Sequence, residues 1–271
     1  MSASDSPAEL REEVRLHDWY HTLELAPGVE TPGYFDLRPL LGDFPLPASL
    51  DGRRCLDVGT FDGFWAFEME RRGADEVLAV DILDPRRWDW PAGSDDAVRA
   101  AIGARKAGGA GFELARRALG SRVTRRELSV YELDPGDVGQ FDLVYAGSLL
   151  LHLRDPVGAL ERIRAVCSGQ LVLCDAVDDG LGRLRRRPVA SLDAVARPWW
   201  WKPNLRALVR MVEAAGFALT VSPRRVRLRA GAGYPRPRAL SARQLVSKAG
   251  REIALTSALG DPHAVIVAKP L

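Results

Sequence analysis

One stretch, Cys55–Phe64, constrains the fold of this chain most strongly. An apolar run, Arg54 to Val58, leads into a turn at Gly59 and then into a helix-favouring segment, Phe64 to Arg72. This order predicts a strand that turns into a helix, the nucleotide-binding start of a doubly wound α/β sheet. Because glycine has no Cβ, the backbone can turn sharply there and a ligand can approach. The following helix N-terminus favours a polar or negatively charged ligand group.

A second acidic residue narrows the choice of ligand. The apolar run Val77 to Val80 ends at Asp81, 24 residues after Asp57, which is close to the separation at which a carboxylate meets a ribose diol. A dinucleotide site uses Gly-x-Gly-x-x-Gly, whereas here Phe61 stands in place of the middle glycine. The pattern favours S-adenosylmethionine, which has no pyrophosphate and brings an ammonium for an acidic residue to hold. NAD is the alternative, and a turn without a ligand is a third interpretation.

The remaining sequence predicts an α/β fold with a parallel sheet covered on both faces, because apolar runs alternate with helical segments. The predicted strands, of which the last two form an antiparallel pair, are Arg54–Val58, Val77–Val80, Val123–Leu128, Phe141–Ala146, Leu171–Cys174, Phe217–Leu228 and Ala264–Ala268. The other predicted helices are Leu10–Trp19, Ala97–Arg105, Phe112–Leu119, Val157–Val166, Pro203–Ala215 and one near Ser241–Ala249. We expect a lid or extension at 1–45 and one domain at 46–271, with insertions at 84–111 and 178–201.

Composition excludes some classes of partner and site. The net charge of +2 among 271 residues points to no particular partner, and the three cysteines fit no metal-binding spacing, so we expect no metal. No apolar run reaches the length of a membrane span, and the N-terminus is polar, unlike a signal peptide. We therefore expect a cytoplasmic protein without membrane contact; the sequence leaves its oligomeric state open.

The predicted cofactor site lies at the carboxyl ends of the strands, where sheets of this kind bind their ligands. Ser129 and Val130 follow the third strand, at the place where an adenine usually lies. The predicted cofactor-binding residues are Asp57, Gly59, Thr60, Gly63, Asp81, Ile82, Ser129, Val130 and Gly147.

Methyl transfer to a hydroxyl or ring nitrogen needs alignment and a proton acceptor. Histidine suits that role because it titrates near neutral pH. His152 follows the fourth strand and His21 lies in the predicted lid, so both are candidate catalytic residues; Asp175, which ends the fifth strand, could orient a base. A structural role is the alternative for each of them.

Aromatic residues and His263 are the candidates for holding the acceptor. The predicted substrate-binding residues are Tyr20, Trp199, Trp200 and His263. The tryptophans could stack on a flat substrate or form a hydrophobic flap. Arginines at 183–187 and 224–229 could contact phosphates, but those of the second group alternate with Val226 and Leu228, which favours a solvated strand face.

Together these motifs resemble one family, the tRNA wobble-uridine methyltransferases and carboxymethyltransferases of the class I S-adenosylmethionine-dependent methyltransferases. The residues that carry the resemblance are Trp19–Tyr20–His21, Thr31–Pro32–Gly33, Leu56–Thr60, Asp62–Trp65, Arg72–Gly73–Ala74, Asp81 and Leu151–Pro156. The resemblance implies a Rossmann-like class I fold with a seven-stranded, mostly parallel sheet, an antiparallel C-terminal strand pair and an N-terminal helical lid. It also implies S-adenosyl-L-methionine as the cofactor and tRNA as a possible substrate.

The sequence departs from that family at the positions that contact the carboxylate of a carboxylated cofactor. Where the carboxymethyltransferases have a lysine, a tyrosine and an arginine, this chain has His21, Leu151 and, approximately, His263. Their extra N-terminal region also has no counterpart here. We therefore expect ordinary S-adenosylmethionine and a small-molecule acceptor, possibly an aromatic natural product, methylated on oxygen or nitrogen. The alternatives are a tRNA wobble-uridine methyltransferase and a cofactor-binding protein without turnover.

Overall fold

The computed structural model describes residues 6–42, 44–184, 187–193, 199–235 and 247–271. The strands in these residues are β1 (Glu24–Ala26), β2 (Val29–Glu30), β3 (Phe35–Asp36), β4 (Arg54–Val58), β5 (Glu76–Asp81), β6 (Thr124–Glu127), β7 (Phe141–Gly147), β8 (Cys167–Ala176), β9 (Ala190–Leu192), β10 (Trp201–Pro203), β11 (Phe217–Leu219), β12 (Arg224–Ala230) and β13 (Asp261–Pro270). The helices are α1 (Pro7–Arg15), α2 (Phe64–Arg71), α3 (Asp96–Ala104), α4 (Ala110–Ala118), α5 (Pro135–Val138), α6 (Pro156–Val166), α7 (Asp179–Leu184), α8 (Leu205–Ala214) and α9 (Lys248–Leu259).

A mixed sheet forms the centre of the molecule. Its strand order is β3–β12–β13–β8–β7–β4–β5–β6, and β11 pairs with the far end of β13. Strands β6, β5, β4, β7 and β8 are parallel, whereas β13 runs antiparallel to β8 and to β12. The Rossmann-like fold predicted from the sequence, with its antiparallel C-terminal pair, is thus confirmed.

The central strands are buried on both faces. Neighbouring residues of β4 contribute to different apolar clusters, Cys55 to one and Leu56 to the other, because successive side chains point to opposite sides of a strand. This two-sided burial is typical of parallel sheets covered by helices and explains their continuous apolar runs. All three cysteines are buried and unpaired.

The predicted strand Phe217–Leu228 is two strands, β11 and β12, placed one after the other along β13. Pro223 lies in the break between them and has no N–H to donate to a ladder. The sequence also gave no signal for β3, which pairs with the outer side of β12 through the register Arg229↔Asp36.

The N-terminal region is less helical than predicted. Helix α1 begins at a capping box between Ser6 and Glu9 and ends at Arg15, before the predicted end at Trp19. The Trp19 indole N–H donates instead to the carbonyl of Val14, which satisfies an acceptor in the last turn of the helix. The chain then continues as β1, β2 and β3.

The helix predicted before the last strand is seen only in part. The helix predicted near Ser241–Ala249 lies mostly outside the described residues, and α9 begins later, at Lys248. In the part of the chain that the structure describes, no helix is long and apolar enough to span a bilayer.

Candidate active site

The loop between β4 and α2 has an unusual backbone. Gly59 and Gly63 have φ angles of +81° and +91°, and Phe61 also lies in the left-handed region with φ of +49°. A Cβ on Gly63 would lie 2.4 Å from the ring of Phe67, so both conformation and space require glycine there. The predicted strand–turn–helix is therefore present, with Gly63 at the helix N-cap.

Asp81 fixes this loop to the end of β5. Its Oδ2 accepts the N–H of Phe61 at 2.9 Å and its Oδ1 accepts the N–H of Ile82 at 2.8 Å. The ammonium of Lys106 also donates to Oδ1, and it lies 5.5 Å from the ring centre of Phe61 and 5.0 Å from that of Trp88. Sequence reasoning missed Lys106, whose only signal was that lysine is rare in this arginine-rich chain.

Asp57 lies behind the loop. Its side chain is 2 % exposed, and its Oδ2 accepts the N–H of Ala66 in the first turn of α2 at 3.1 Å. Burial raises the pKa of Asp57 to about 7, although the nearby Thr60 side chain and the charge of His21 act in the opposite direction. Asp57 thus ties the strand to the helix, and its contact with a cofactor ammonium stays a prediction.

The predicted adenine side of the site is built at the ends of β6 and β7. Ser129 forms a capping box with Glu132 at the start of a short 3₁₀ turn, and Val130 is buried beside it. Gly147 ends β7, and a Cβ there would lie 2.0 Å from the hydroxyl of Tyr145. These residues share the carboxyl edge of the sheet with Asp81, as the sequence predicted.

The N-terminal segment is held against the loop by Asp62. Its Oδ2 accepts the N–H groups of Tyr20 and His21, both at 2.8 Å, and its Oδ1 contacts His21 Nδ1. Asp62 is 1 % exposed. His21, predicted as a catalytic residue, therefore lies at the cofactor loop and has a carboxylate partner. The sequence did not predict this role for Asp62. The residue lies between two residues of positive φ, Phe61 and Gly63, and only the structure reveals those angles.

Asp175 holds the loop that follows β7. Its Oδ2 accepts the N–H groups of Leu149 and Leu150, both at 2.8 Å, and its Oδ1 accepts that of Ala176 at 2.9 Å. The buried carboxylate therefore positions this loop, and its predicted role in orienting a base stays a prediction. That loop borders the cofactor loop, since the side chain of Leu149 lies 3.3 Å from where a Cβ on Gly59 would be.

His263 lies on β13, and its predicted contact with substrate stays a prediction. It is 2 % exposed, its Nε2 lies 2.9 Å from Ser148 Oγ, and its Nδ1 lies 3.2 Å from Asp261 Oδ2. Burial acts to raise the pKa of Asp261, but the hydrogen bond and charge of His263 outweigh it, and the pKa is lowered. Ser148 follows β7 and has a φ of +48°.

A set of hydrogen bonds centred on Asp89 joins four segments of the chain above the sheet edge. Asp89 Oδ2 accepts the Tyr131 hydroxyl and the Arg154 N–H, both at 2.7 Å. The Trp200 indole N–H donates to the carbonyl of Asp89 and its backbone N–H donates to that of Leu151, again both at 2.7 Å. We call the residues Asp89, Tyr131, Arg154 and Trp200 the aromatic wall.

The remaining predicted site residues lie near this wall. The guanidinium of Arg154 lies 4.9 Å from the ring centre of Trp200. Trp199 is half-buried, and so is His152, at the end of the 3₁₀ turn Leu150–His152. The roles assigned to Trp199 and His152 stay predictions.

The arginines of β12 form a solvated face, as their alternation predicted. Val226 and Leu228 are buried, whereas Arg225 and Arg227 are exposed and lie 3.4 and 2.9 Å from the carboxylate of Asp179. The group at 183–187 lies partly outside the described residues.

Comparison with known proteins identifies the family. A family model described as a methyltransferase domain matches residues 34–221, which is more than half of the chain. The chain belongs to this methyltransferase family. The expectations of a methyltransferase and of S-adenosyl-L-methionine as its cofactor, in preference to NAD, are confirmed at the level of the family.

The individual curated relatives have low sequence identity to this chain. The chain is 27% identical over 176 residues to a tRNA U34 carboxymethyltransferase of Dichelobacter nodosus, covering 63% of this chain and 47% of that protein. It is 29% identical to the protein of the same name from Alcanivorax borkumensis, with 64% and 47% covered. The chain thus spans about half the length of these curated relatives.

Among solved structures, the N-terminal domain of EvdMO1, in the presence of SAH and D-fucose, is similar with a TM-score of 0.56 and 15% identity. The match covers 100% of this chain and 99% of that one. At this identity the likeness shows the fold alone.

Proposed function

We propose that this chain transfers the methyl group of S-adenosylmethionine to an oxygen or nitrogen atom of a small-molecule acceptor. The observation that carries the proposal is the aromatic wall, which joins four segments of the chain above the edge where the cofactor loop and Asp81 lie. Side chains that are already hydrogen-bonded to one another can hold an acceptor in place while it reacts.

The residues at this edge fit the cofactor by their chemistry. A carboxylate offers about four lone-pair sites, and Asp81 uses three of them for two backbone N–H groups and Lys106, so a ribose hydroxyl can bind at the remaining site or displace Lys106. When bound, S-adenosylmethionine supplies a sulfonium-activated methyl group. The chain must then align the acceptor and take up its proton. Two histidines have carboxylate partners and can accept this proton, His21 and His263. His152 is a third candidate.

The charge distribution favours a small acceptor over a polyanion. Arg225 and Arg227 share one carboxylate, that of Asp179, instead of presenting free charges. A nucleic-acid interface draws its affinity from unpaired basic side chains that replace counterions on phosphates. The exposed face of β12 is therefore a weak candidate for such an interface.

The test is methyl transfer from S-adenosylmethionine labelled in its methyl group. The purified chain is incubated with the low-molecular-weight fraction of an extract of the source cells and, separately, with its bulk tRNA. We expect label in a small product that is absent with Asp81→Ala, a variant that cannot bind the ribose. Label in tRNA alone would contradict the proposal, and the absence of S-adenosylhomocysteine from both reactions would indicate a binding protein without turnover.

The second candidate is a tRNA wobble-uridine methyltransferase. The observation that favours it is the name shared by the curated relatives at 27% and 29% identity. Because a tRNA-binding protein releases counterions, its affinity for tRNA would fall steeply as the salt concentration rises. Weak, salt-independent binding of tRNA would rule this candidate out.

A further inference from the structure

We propose that Ser148, His263 and Asp261 form a proton relay that accepts the proton lost by the acceptor during methyl transfer. The inference rests on the proposed function, because it needs an acceptor that gives up a proton. It assigns the base to the end of β7 and to β13, and it gives Ser148 a role that sequence reasoning did not suggest.

Distances and burial support an oriented chain of groups. His263 lies between Ser148 Oγ, 2.9 Å from Nε2, and Asp261 Oδ2, 3.2 Å from Nδ1. His263 is 2 % exposed, whereas Ser148 is half-buried, so the serine is the outer member of the chain. Both ring nitrogens are engaged, which fixes the orientation of the imidazole.

The partners of the imidazole also set the direction of the hydrogen bonds. The backbone carbonyl of Asp261, 3.4 Å from Nδ1, and its ionised carboxylate both only accept, so Asp261 takes the Nδ1–H of His263. Nε2 then carries a lone pair and accepts the hydroxyl proton of Ser148. This leaves the lone pairs of Ser148 Oγ to accept a hydrogen bond from an O–H or N–H group of the acceptor.

Ser148 is held in a costly conformation beside the cofactor loop. Its φ of +48° is uncommon for a residue with a Cβ, and such strain persists where the surrounding structure enforces it. Its N–H donates to the carbonyl of Cys174 at 2.8 Å, and the next residue, Leu149, packs against Gly59. The Tyr20 side chain also lies beside Ser148, and its ring centre lies 5.4 Å from that of Phe61.

The proton balance of the step is simple. As the acceptor oxygen or nitrogen forms its bond to the methyl carbon, the bond from that carbon to sulfur breaks and the sulfonium becomes a neutral thioether. The acceptor proton passes to Ser148 Oγ while the proton of Ser148 passes to His263 Nε2. The products are the methylated acceptor, S-adenosylhomocysteine and a His263 imidazolium beside the Asp261 carboxylate.

The first experiment needs no acceptor. In the full chain with ¹⁵N-labelled histidine and bound S-adenosylhomocysteine, long-range ¹H–¹⁵N spectra report which ring nitrogen carries the proton. We expect His263 with its proton on Nδ1, and a shift of its Nε2 resonance in Ser148→Ala. A proton on Nε2 at neutral pH would overturn the relay, whatever the chain methylates.

The second experiment measures single-turnover methyl transfer to the acceptor found with labelled cofactor. His263→Asn and Ser148→Ala should slow the transfer by about 100-fold, the usual contribution of a general base, with unchanged affinity for S-adenosylmethionine. Asp261→Asn should slow it as well, because an amide can donate to Nδ1 and reverse the tautomer. His17→Asn, at a half-buried histidine outside the site, is the matched control.

His21 is the competing base, because Asp62 orients it in the same way. If His263→Asn transfers methyl groups at the wild-type rate while His21→Asn does not, the relay is wrong and His21 is the base. If the wild type itself methylates nothing, the proposed function fails, and the tautomer of His263 still decides whether the relay geometry exists.

Discussion

Lys106 and Asp81 form an ion pair at the place where the sequence predicts the ribose of the cofactor. The ammonium Nζ lies 2.5 Å from Asp81 Oδ1, and the two side chains are only 14% and 8% exposed. Lys106 reaches the carboxylate from the segment that follows α3, between the rings of Phe61 and Trp88. The ribose hydroxyls and Lys106 therefore compete for one acceptor.

Lys106→Met should strengthen the binding of S-adenosylmethionine, because it removes the competitor and keeps the length of the side chain. We expect a decrease in Kd of about tenfold, which corresponds to about 1.4 kcal/mol. Isothermal titration calorimetry measures it, with Lys269→Met, at an exposed lysine of β13, as the control. Weaker binding would show that Lys106 itself holds the cofactor.

Asp57 should make the folded state less stable as the pH rises towards neutrality. Its pKa is near its ordinary value of about 3.9 when unfolded and about 7 when folded, so between these values the native state holds the extra proton. Stability is therefore lost as the pH rises, by up to ~1.4 kcal/mol per pH unit. Urea unfolding at several pH values should show a flatter profile for Asp57→Asn than for wild type. The exposed Asp96→Asn should keep the wild-type slope, and an equal slope in both variants would refute the assignment.

Asp175→Ala should destabilise the fold rather than remove a catalytic group. Three backbone N–H groups would lose their acceptor, for a cost of about 3 kcal/mol in the free energy of unfolding. Asp178→Ala is matched to it, because that half-buried carboxylate accepts only two N–H groups, and we expect a smaller loss. A stable but inactive Asp175→Ala protein would instead support the catalytic role that the sequence predicted.

Trp200→Phe should weaken the hold on the acceptor without changing the binding of the cofactor. Phenylalanine keeps an aromatic ring beside Arg154 but loses the hydrogen bond to the carbonyl of Asp89. A loss of about 1 kcal/mol would raise the KM for the acceptor about fivefold. Trp201→Phe, which loses a bond of 3.1 Å to the carbonyl of Arg154, is the control. An unchanged KM would exclude the aromatic wall from acceptor binding.

The most accurate sequence predictions were those of elements that depend only on neighbouring residues in the chain. The bounds of β4, Arg54–Val58, agree with the prediction, because a short apolar run before a glycine turn is a local signal. The role of Asp175, at the end of β8, stays a prediction, because the pattern places a carboxylate at the sheet edge but does not show whether ligand or backbone N–H groups fill it.

Contacts between distant segments could not be predicted. Asp62 binds the backbone of Tyr20, 42 residues earlier, and Ser148 meets His263, 115 residues later. No local sequence feature predicts either contact, because the order of strands in the sheet brings the two residues of each pair together. Lys106 was missed for the same reason.

Strand β13 is the last element of the chain, yet it lies between β8 and β12 and carries His263. While the ribosome still encloses these residues, the nascent chain has an unpaired edge at β8, and Ser148 has no imidazole beside it. Domains usually fold from the N-terminus during synthesis. For this chain, the sheet can be completed, and Ser148 can meet His263, only after β13 has emerged from the ribosome.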